Sequence, residues 1–191
     1  HVYLGDYDAY LWVRHARNYL RTGSTCDATV DGSCRDTLAN APVGRPMLYG
    51  RSLHIVAIVA LHRAITAFVP GYPLHATAFW VPVVVGLLGV PAAFGIGWRV
   101  AGPLGGLAAA VLVGVEPVFL RRSIGADNDV WNVVLPVWMV WAAIEAVSAR
   151  GATRQAAYAL LAAAVAGAHA STWRGWVFGY AVVLVGLLGN A

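Results

Sequence analysis

From residue 74 onward, apolar runs follow one another at close intervals, and they leave this chain little choice but helices packed in a bilayer. The runs cover residues 74–98, 104–120, 130–148, 155–170 and 174–190. Each approaches the ~20 residues that a hydrocarbon core requires of a spanning helix. Hydrophobic residues make up 59% of the chain and charged residues 12%, more apolar surface than one water-exposed core can hide. The expected fold class is all-α, a polytopic transmembrane helical bundle. Pro82, Pro91 and Pro136 fall inside the runs and predict kinks, which neighbouring helices can accommodate. Closely spaced Gly and Ala suit tight helix packing.

The first 72 residues read differently. Within residues 1–22, Tyr10, Leu11, Ala16 and Leu20 can share one helical face, with Arg14, Arg17 and Arg21 near the other. That pattern predicts an amphipathic helix lying at a membrane surface. Residues 23–47 are rich in Gly, Thr, Asp and Pro and are expected to be loop. Residues 51–69 are apolar but contain Arg51, His54, His62 and Arg63 and end at Pro70-Gly71. Chargeable groups in mid-segment are costly in lipid, so this stretch is expected to be an external helix resting on the membrane domain. The division expected is an external first loop over 1–72 and a transmembrane domain of about five spans over 73–191, the last span truncated. The chain starts at His1 without Met and stops inside an apolar run, and is expected to be a fragment of a longer polypeptide. Cys26 and Cys34 fall in the polar stretch. They can pair in an oxidising exterior or remain two thiols; no second pair or histidine spacing suggests zinc.

Charge sets an expected topology. The short loops Arg99–Pro103 and Ser148–Arg154 carry Arg99, Arg150 and Arg154 without an acid, which places both on the cytoplasmic side. The segments holding Asp127 and Asp129, and Ser171-Thr172-Trp173, then lie outside. Arg121 and Arg122 oppose the rule. Two spans separate Asp8 from Asp127 if 51–69 does not cross, so both acids are expected on the same, non-cytoplasmic face of the cell membrane. The net charge of +4 fits topology and lipid contact; no basic stripe with interleaved aromatics suggests nucleic acid.

The chemistry-bearing candidates are acidic. In Asp127-Asn128-Asp129, extended geometry points the two carboxylates the same way, toward one hard cation with oxygen ligands. Helix capping before a span is the competing reading. Asp8 reads either as a helix-start acid or as a ligand, with Asp6 as its rival. Arg14 reads as an ion-pair partner or a surface cation. Arg121 and Arg122 suit a phosphate through their planar forks, or snorkel to headgroups. Trp173, Arg174 and Trp176 read as an interfacial anchor. Glu116 lies close to the outer surface and reads as a hydrogen-bonded acid beside Pro117, with a supporting place behind the acidic ligands as the alternative. His54, His62, His75 and His169 show no paired-ligand spacing and read as packing or surface residues.

Taken together, Asp-Ala-Tyr-x-x-x-Arg from Asp8 to Arg14, then two spans, then Gly-Ala-Asp-Asn-Asp-Val-Trp-Asn from Gly125, then Thr-Trp-Arg-Gly-Trp from Thr172, resemble the catalytic subunit of oligosaccharyltransferase, especially the single-subunit archaeal and bacterial enzymes. The resemblance covers essentially the whole chain, as the N-terminal part of a C-type glycosyltransferase membrane domain. It implies transfer of an oligosaccharide from a polyprenyl-phosphate carrier to Asn in Asn-x-Ser/Thr of an acceptor polypeptide, with Mg²⁺ or Mn²⁺. It implies Asp8 and Asp127 as metal ligands, Asp129 in support, and Arg121 or Arg122 at the substrate. Ala126 stands where the family usually has an aromatic. A later acidic ligand and a soluble C-terminal domain that the family carries are not present, so the fragment is expected to be catalytically incomplete. The alternatives are another polytopic enzyme using a lipid-phosphate sugar, which would not need Asp129, or a membrane transporter, which would place its acids near the bilayer midplane.

Overall fold

Asp31-Gly32 shapes the first feature that departs from the sequence reading. Asp31 has φ 49° and Gly32 φ 74°, the two left-handed residues of a tight hairpin turn. They join β1 (Ala28–Val30) to β2 (Ser33–Asp36), and β3 (Arg45–Pro46) adds on, giving an antiparallel sheet of order β1-β2-β3 with Thr29 opposite Cys34 and Asp36 opposite Arg45. The stretch 23–47 is therefore not all loop, and the chain is not all-α. The remaining elements are helices: α1 (Tyr7–Thr22), α2 (Leu53–Phe68), α3 (Leu74–Val115), α4 (Pro117–Arg122), α5 (Trp131–Ser148), α6 (Ala152–Ala170) and α7 (Trp176–Leu188). This computed structural model describes residue 4 and residues 7–47, 52–122 and 125–189. The chain divides into two units, His1–Val81 with Gly125–Asp127, and Pro82–Ile124 with Asn128–Ala191.

In the first unit, α1 buries Ala9, Trp12, Val13 and Ala16, an i, i+3, i+4, i+7 stripe. The expected face was offset: Tyr10 is exposed, and the helix turns Trp12 inward instead. α1 packs on α2, whose buried side is His54, Ile55, Ile58 and Val59. Ser52 caps α2 and accepts from the His54 N–H. Cys26 and Cys34 form a disulfide. Arg14 fastens the sheet to α1, donating to Asp27 Oδ2 at 2.6 Å and to Asp36 Oδ1 at 2.7 Å. Asn18 adds a bond to Asp27 Oδ1 at 2.8 Å. His15 donates from Nδ1 to the Thr25 carbonyl at 2.9 Å. Burial lowers its pKa, so the ring is neutral, and its 3.5 Å approach to Asp36 is a contact rather than an ion pair.

α3, which lies in the second unit from Pro82 onward, is two helices end to end. It keeps helical geometry through Pro91 and breaks at Ala101 and Gly102, where Gly102 has φ 67°. The arms then run back along each other. A Cβ on Gly97 would strike the Gly105 carbonyl and Ala109, and one on Gly106 would meet Phe94. Glycine is needed there because two backbones touch. The turn of this hairpin carries Arg99, which forks onto Glu145 near the end of α5, with Nε to Oε1 at 2.7 Å. Trp138 Nε1 donates to the Leu88 carbonyl at 2.7 Å. α5 packs on α6 and α7. At its start, Asn128 Nδ2 donates to the Thr172 carbonyl just past α6 at 3.3 Å, so α5 and α6 are antiparallel. The unit therefore has an end with Arg99, Glu145 and Arg150, and an opposite end with Asn128, Asp129 and Thr172. α3 and α5 are long and apolar enough to cross a membrane, while Leu53–Phe68 and Trp176–Gly186 are apolar but shorter.

Asp36 is 2% exposed. Burial alone would raise its pKa, but the Arg14 bond, the Ala39 N–H and the nearby positive charge outweigh it and hold it below the usual carboxylate value. Stability from such a group is complete above about pH 4 and is lost as pH falls through the lowered folded pKa. Arg14→Leu strands this buried acid and should cost about 3 kcal/mol at pH 7. Chemical unfolding of the full-length protein in detergent should show that deficit at pH 7 and a smaller one near pH 3; equal stability at pH 7 would contradict the role assigned to Arg14.

Candidate active site

Asp127 is the acid that the fold treats most distinctively. It is 6% exposed, and its Oδ1 accepts a hydrogen bond from Trp12 Nε1 at 3.2 Å, across 115 residues of sequence. Trp12 follows Asp8 by four residues on α1, so the two share a helical face, one turn apart. Asp8 sits in the first turn and is exposed. The same side of α1 that carries Asp8 is thus the side that meets Asp127. Asp6 lies outside the described residues.

The backbone beside Asp127 is held as firmly. Ala126 has φ 68°, an uncommon conformation for a residue with a Cβ. It is fully buried, and its carbonyl is 3.0 Å from His54 Nε2. Burial pushes the His54 pKa down to about 4, with the Ala126 bond acting in the opposite sense. The ring is therefore neutral, and its Nε2–H donates to Ala126. The His54 and Trp12 rings meet edge to face at 5.5 Å, so the groups holding Asp127 also hold each other.

Asp129 belongs to the helical unit. Its carbonyl accepts from Asn132 N at 3.0 Å in the turn that opens α5. With Glu116, Phe119 and Asn132 it lines a mainly apolar groove of about 460 Å³. Glu116 accepts from the Phe119 N–H, which matches the hydrogen-bonded role expected beside Pro117, and it shares the groove with Asp129. Arg121 is exposed at the end of α4, and the side chain of Arg122 lies outside the described residues. Trp12 and His54 were not singled out by chemistry in the sequence. The i, i+4 spacing of Trp12 from Asp8 was the available signal for one, and the position of His54 on the inner side of an apolar helix was the signal for the other.

Among the described residues, no group of three or more His, Cys, Asp or Glu side chains converges as a closed metal cage. A Mg²⁺-type ion does not require one. It is commonly held by one or two carboxylates, with water and substrate phosphate completing the shell. Asp8 and Asp127 supply hard oxygen donors without thiol or imidazole, and that donor chemistry fits Mg²⁺ or Mn²⁺.

A helical chain with membrane-length segments, whose first helix is joined to a buried acid far along the sequence, is the class that this fold and site define. Residues 1–188 match the family described as "Oligosaccharyl transferase STT3, N-terminal", and the chain belongs to that family. It is similar to the dolichyl-phosphooligosaccharide-protein glycotransferase of Methanococcus voltae, with 28% identity over 98% of this chain and 21% of the relative. The protein of the same description from Methanocaldococcus jannaschii is 27% identical over 80% of this chain and 17% of its own length. The chain spans about a fifth of the length of these curated relatives. No solved structure matches it significantly.

Because His54 titrates near 4 when folded and at about 6.5 when unfolded, the unfolded state binds the extra proton between those values. Stability is then complete above pH 6.5 and falls by about 3 kcal/mol on the way down to pH 4. Unfolding free energies measured across that range should show this slope in the wild type and lose it in His54→Gln. An identical slope in both would contradict a buried neutral imidazole.

Proposed function

We propose that the protein containing this chain transfers an oligosaccharide from a polyprenyl-phosphate carrier to the side-chain amide of Asn in Asn-x-Ser/Thr. The observation that supports this most is the Trp12–Asp127 hydrogen bond, because it brings the α1 face bearing Asp8 to the second acidic segment. The two relatives are named for a lipid-linked oligosaccharide donor and a protein acceptor, and the reading extends these to the present chain.

In this reading Asp8 and Asp127 are the ligands of Mg²⁺ or Mn²⁺, with Asp129 supporting them. A bound divalent cation supplies positive charge to the carrier phosphate as it departs. The carboxylates accept hydrogen bonds from the acceptor amide and so draw its nitrogen lone pair away from the carbonyl. The transfer forms a bond from the sugar's anomeric carbon to that nitrogen, breaks the carbon–oxygen bond to the carrier phosphate and releases an amide proton. A carboxylate already bonded to the amide N–H is placed to take that proton. Arg121 or Arg122 is assigned to the carrier phosphate, which suits a guanidinium fork.

The reading extends to architecture. Residues 1–72 form an external loop and 73–191 a polytopic membrane domain of about five spans, with the site on the non-cytoplasmic face. The antiparallel arms of α3 and the pairing of Arg99 with Glu145 support a turn at 99–103 between two spans. Arg99, Arg150 and Arg154 in the short loops at that end of the helical unit support the orientation, against Arg121 and Arg122 at the other end.

In the full-length protein, Asp127→Asn should lower glycan transfer to a sequon peptide by at least about 100-fold while leaving membrane insertion unchanged. Chelation of divalent ions should abolish wild-type transfer, and added Mn²⁺ should restore it. Unimpaired transfer by the variant would refute the assigned role.

A further inference from the structure

Resting on that reading of Asp127, we infer that Trp12 and His54 are positioning residues that together fix the aim of the Asp127 carboxylate. Three contacts close a ring around it. The Trp12 indole holds Asp127 Oδ1 at 3.2 Å. The His54 imidazole holds the carbonyl of the preceding residue at 3.0 Å. The two rings pack edge to face at 5.5 Å. Trp12 is 3% exposed and His54 is fully buried, so neither is placed to bind a solvent-borne substrate.

The choice of donors matters. A Lys or Arg at the Trp12 position would neutralise Asp127 and compete with a cation. An indole N–H orients one oxygen and itself carries no charge. His54 acts one bond further back. Its N–H secures the peptide at Ala126, where φ is 68°, and that dihedral sets the direction in which the next Cα–Cβ bond leaves the chain. Ser52 fixes the first turn of α2 by accepting from the His54 backbone, so the imidazole is anchored at both ends. Groups that orient a ligand through a hydrogen bond of this kind typically change metal affinity or activity by about 10–100-fold when removed.

The test uses the full-length protein with a lipid-linked oligosaccharide, a sequon peptide and Mn²⁺. Trp12→Phe keeps the aromatic face and removes the N–H; His54→Phe does the same for the imidazole; His54→Gln restores a donor near the position of Nε2. Transfer kinetics, Mn²⁺ affinity by electron paramagnetic resonance and thermal melting are read on each. Both Phe variants should lower kcat and weaken Mn²⁺ binding by about 10–100-fold, with KM for the peptide unchanged. His54→Gln should recover most of both losses at a melting temperature equal to that of His54→Phe. If His54→Phe does not fold, Trp12→Phe decides. Phe variants with wild-type kcat and Mn²⁺ affinity, beside an inactive Asp127→Asn, would overturn the inference alone. So would a His54→Gln no better than His54→Phe at equal stability. Full activity in Asp127→Asn would instead overturn the reading beneath it.

Discussion

The indole N–H of Trp12 on the carboxylate of Asp127 is the contact on which the rest of this molecule depends. A carboxylate withdrawn from water is costly unless donors or a cation meet it. Here the Trp12 indole is one of the donors that meet it, and the bond ties the first helix of the chain to a segment more than a hundred residues later.

Much of the first unit serves to keep that helix in place. Arg14 is clamped by Asp27 and Asp36, and those two acids lie on either side of the Asp-Gly hairpin. The disulfide from Cys26 to Cys34 closes the same hairpin, and Asn18 and His15 reach to the chain entering it. The sheet is too small to be stable by itself; held this way, it becomes a platform from which α1 projects Trp12 and Asp8. In the second unit the corresponding fixed points are the glycine contact of the α3 arms and the forked Arg99–Glu145 pair.

The long helices were legible because lipid-length apolar runs admit few alternatives, and the turn at 99–103 was legible because Gly102-Pro103 interrupts them. The sheet was legible in principle through Asp31-Gly32, but a polar composition concealed it, since strands of two to four residues leave almost no alternation to read. The face of α1 was misread because Tyr10 and Leu11 are as apolar as Trp12 and Val13, and only the packing against α2 decides which pair turns inward. Asp127 was visible as an acid out of place. The groups that hold it were not, because a single Trp and a single His become partners only through the tertiary structure that brings α1, α2 and the segment at 125–127 together.

The central claim is that Asp8 and Asp127 grip one ion, and a double-mutant cycle on Mn²⁺ binding tests it most directly. Affinity would be measured for the full-length protein and for Asp8→Asn, Asp127→Asn and the two combined. A shared ion predicts that either single change removes most of the binding and that the pair loses far less than the sum of the two. Losses that simply add, or a single variant that binds Mn²⁺ as the wild type does, would contradict it.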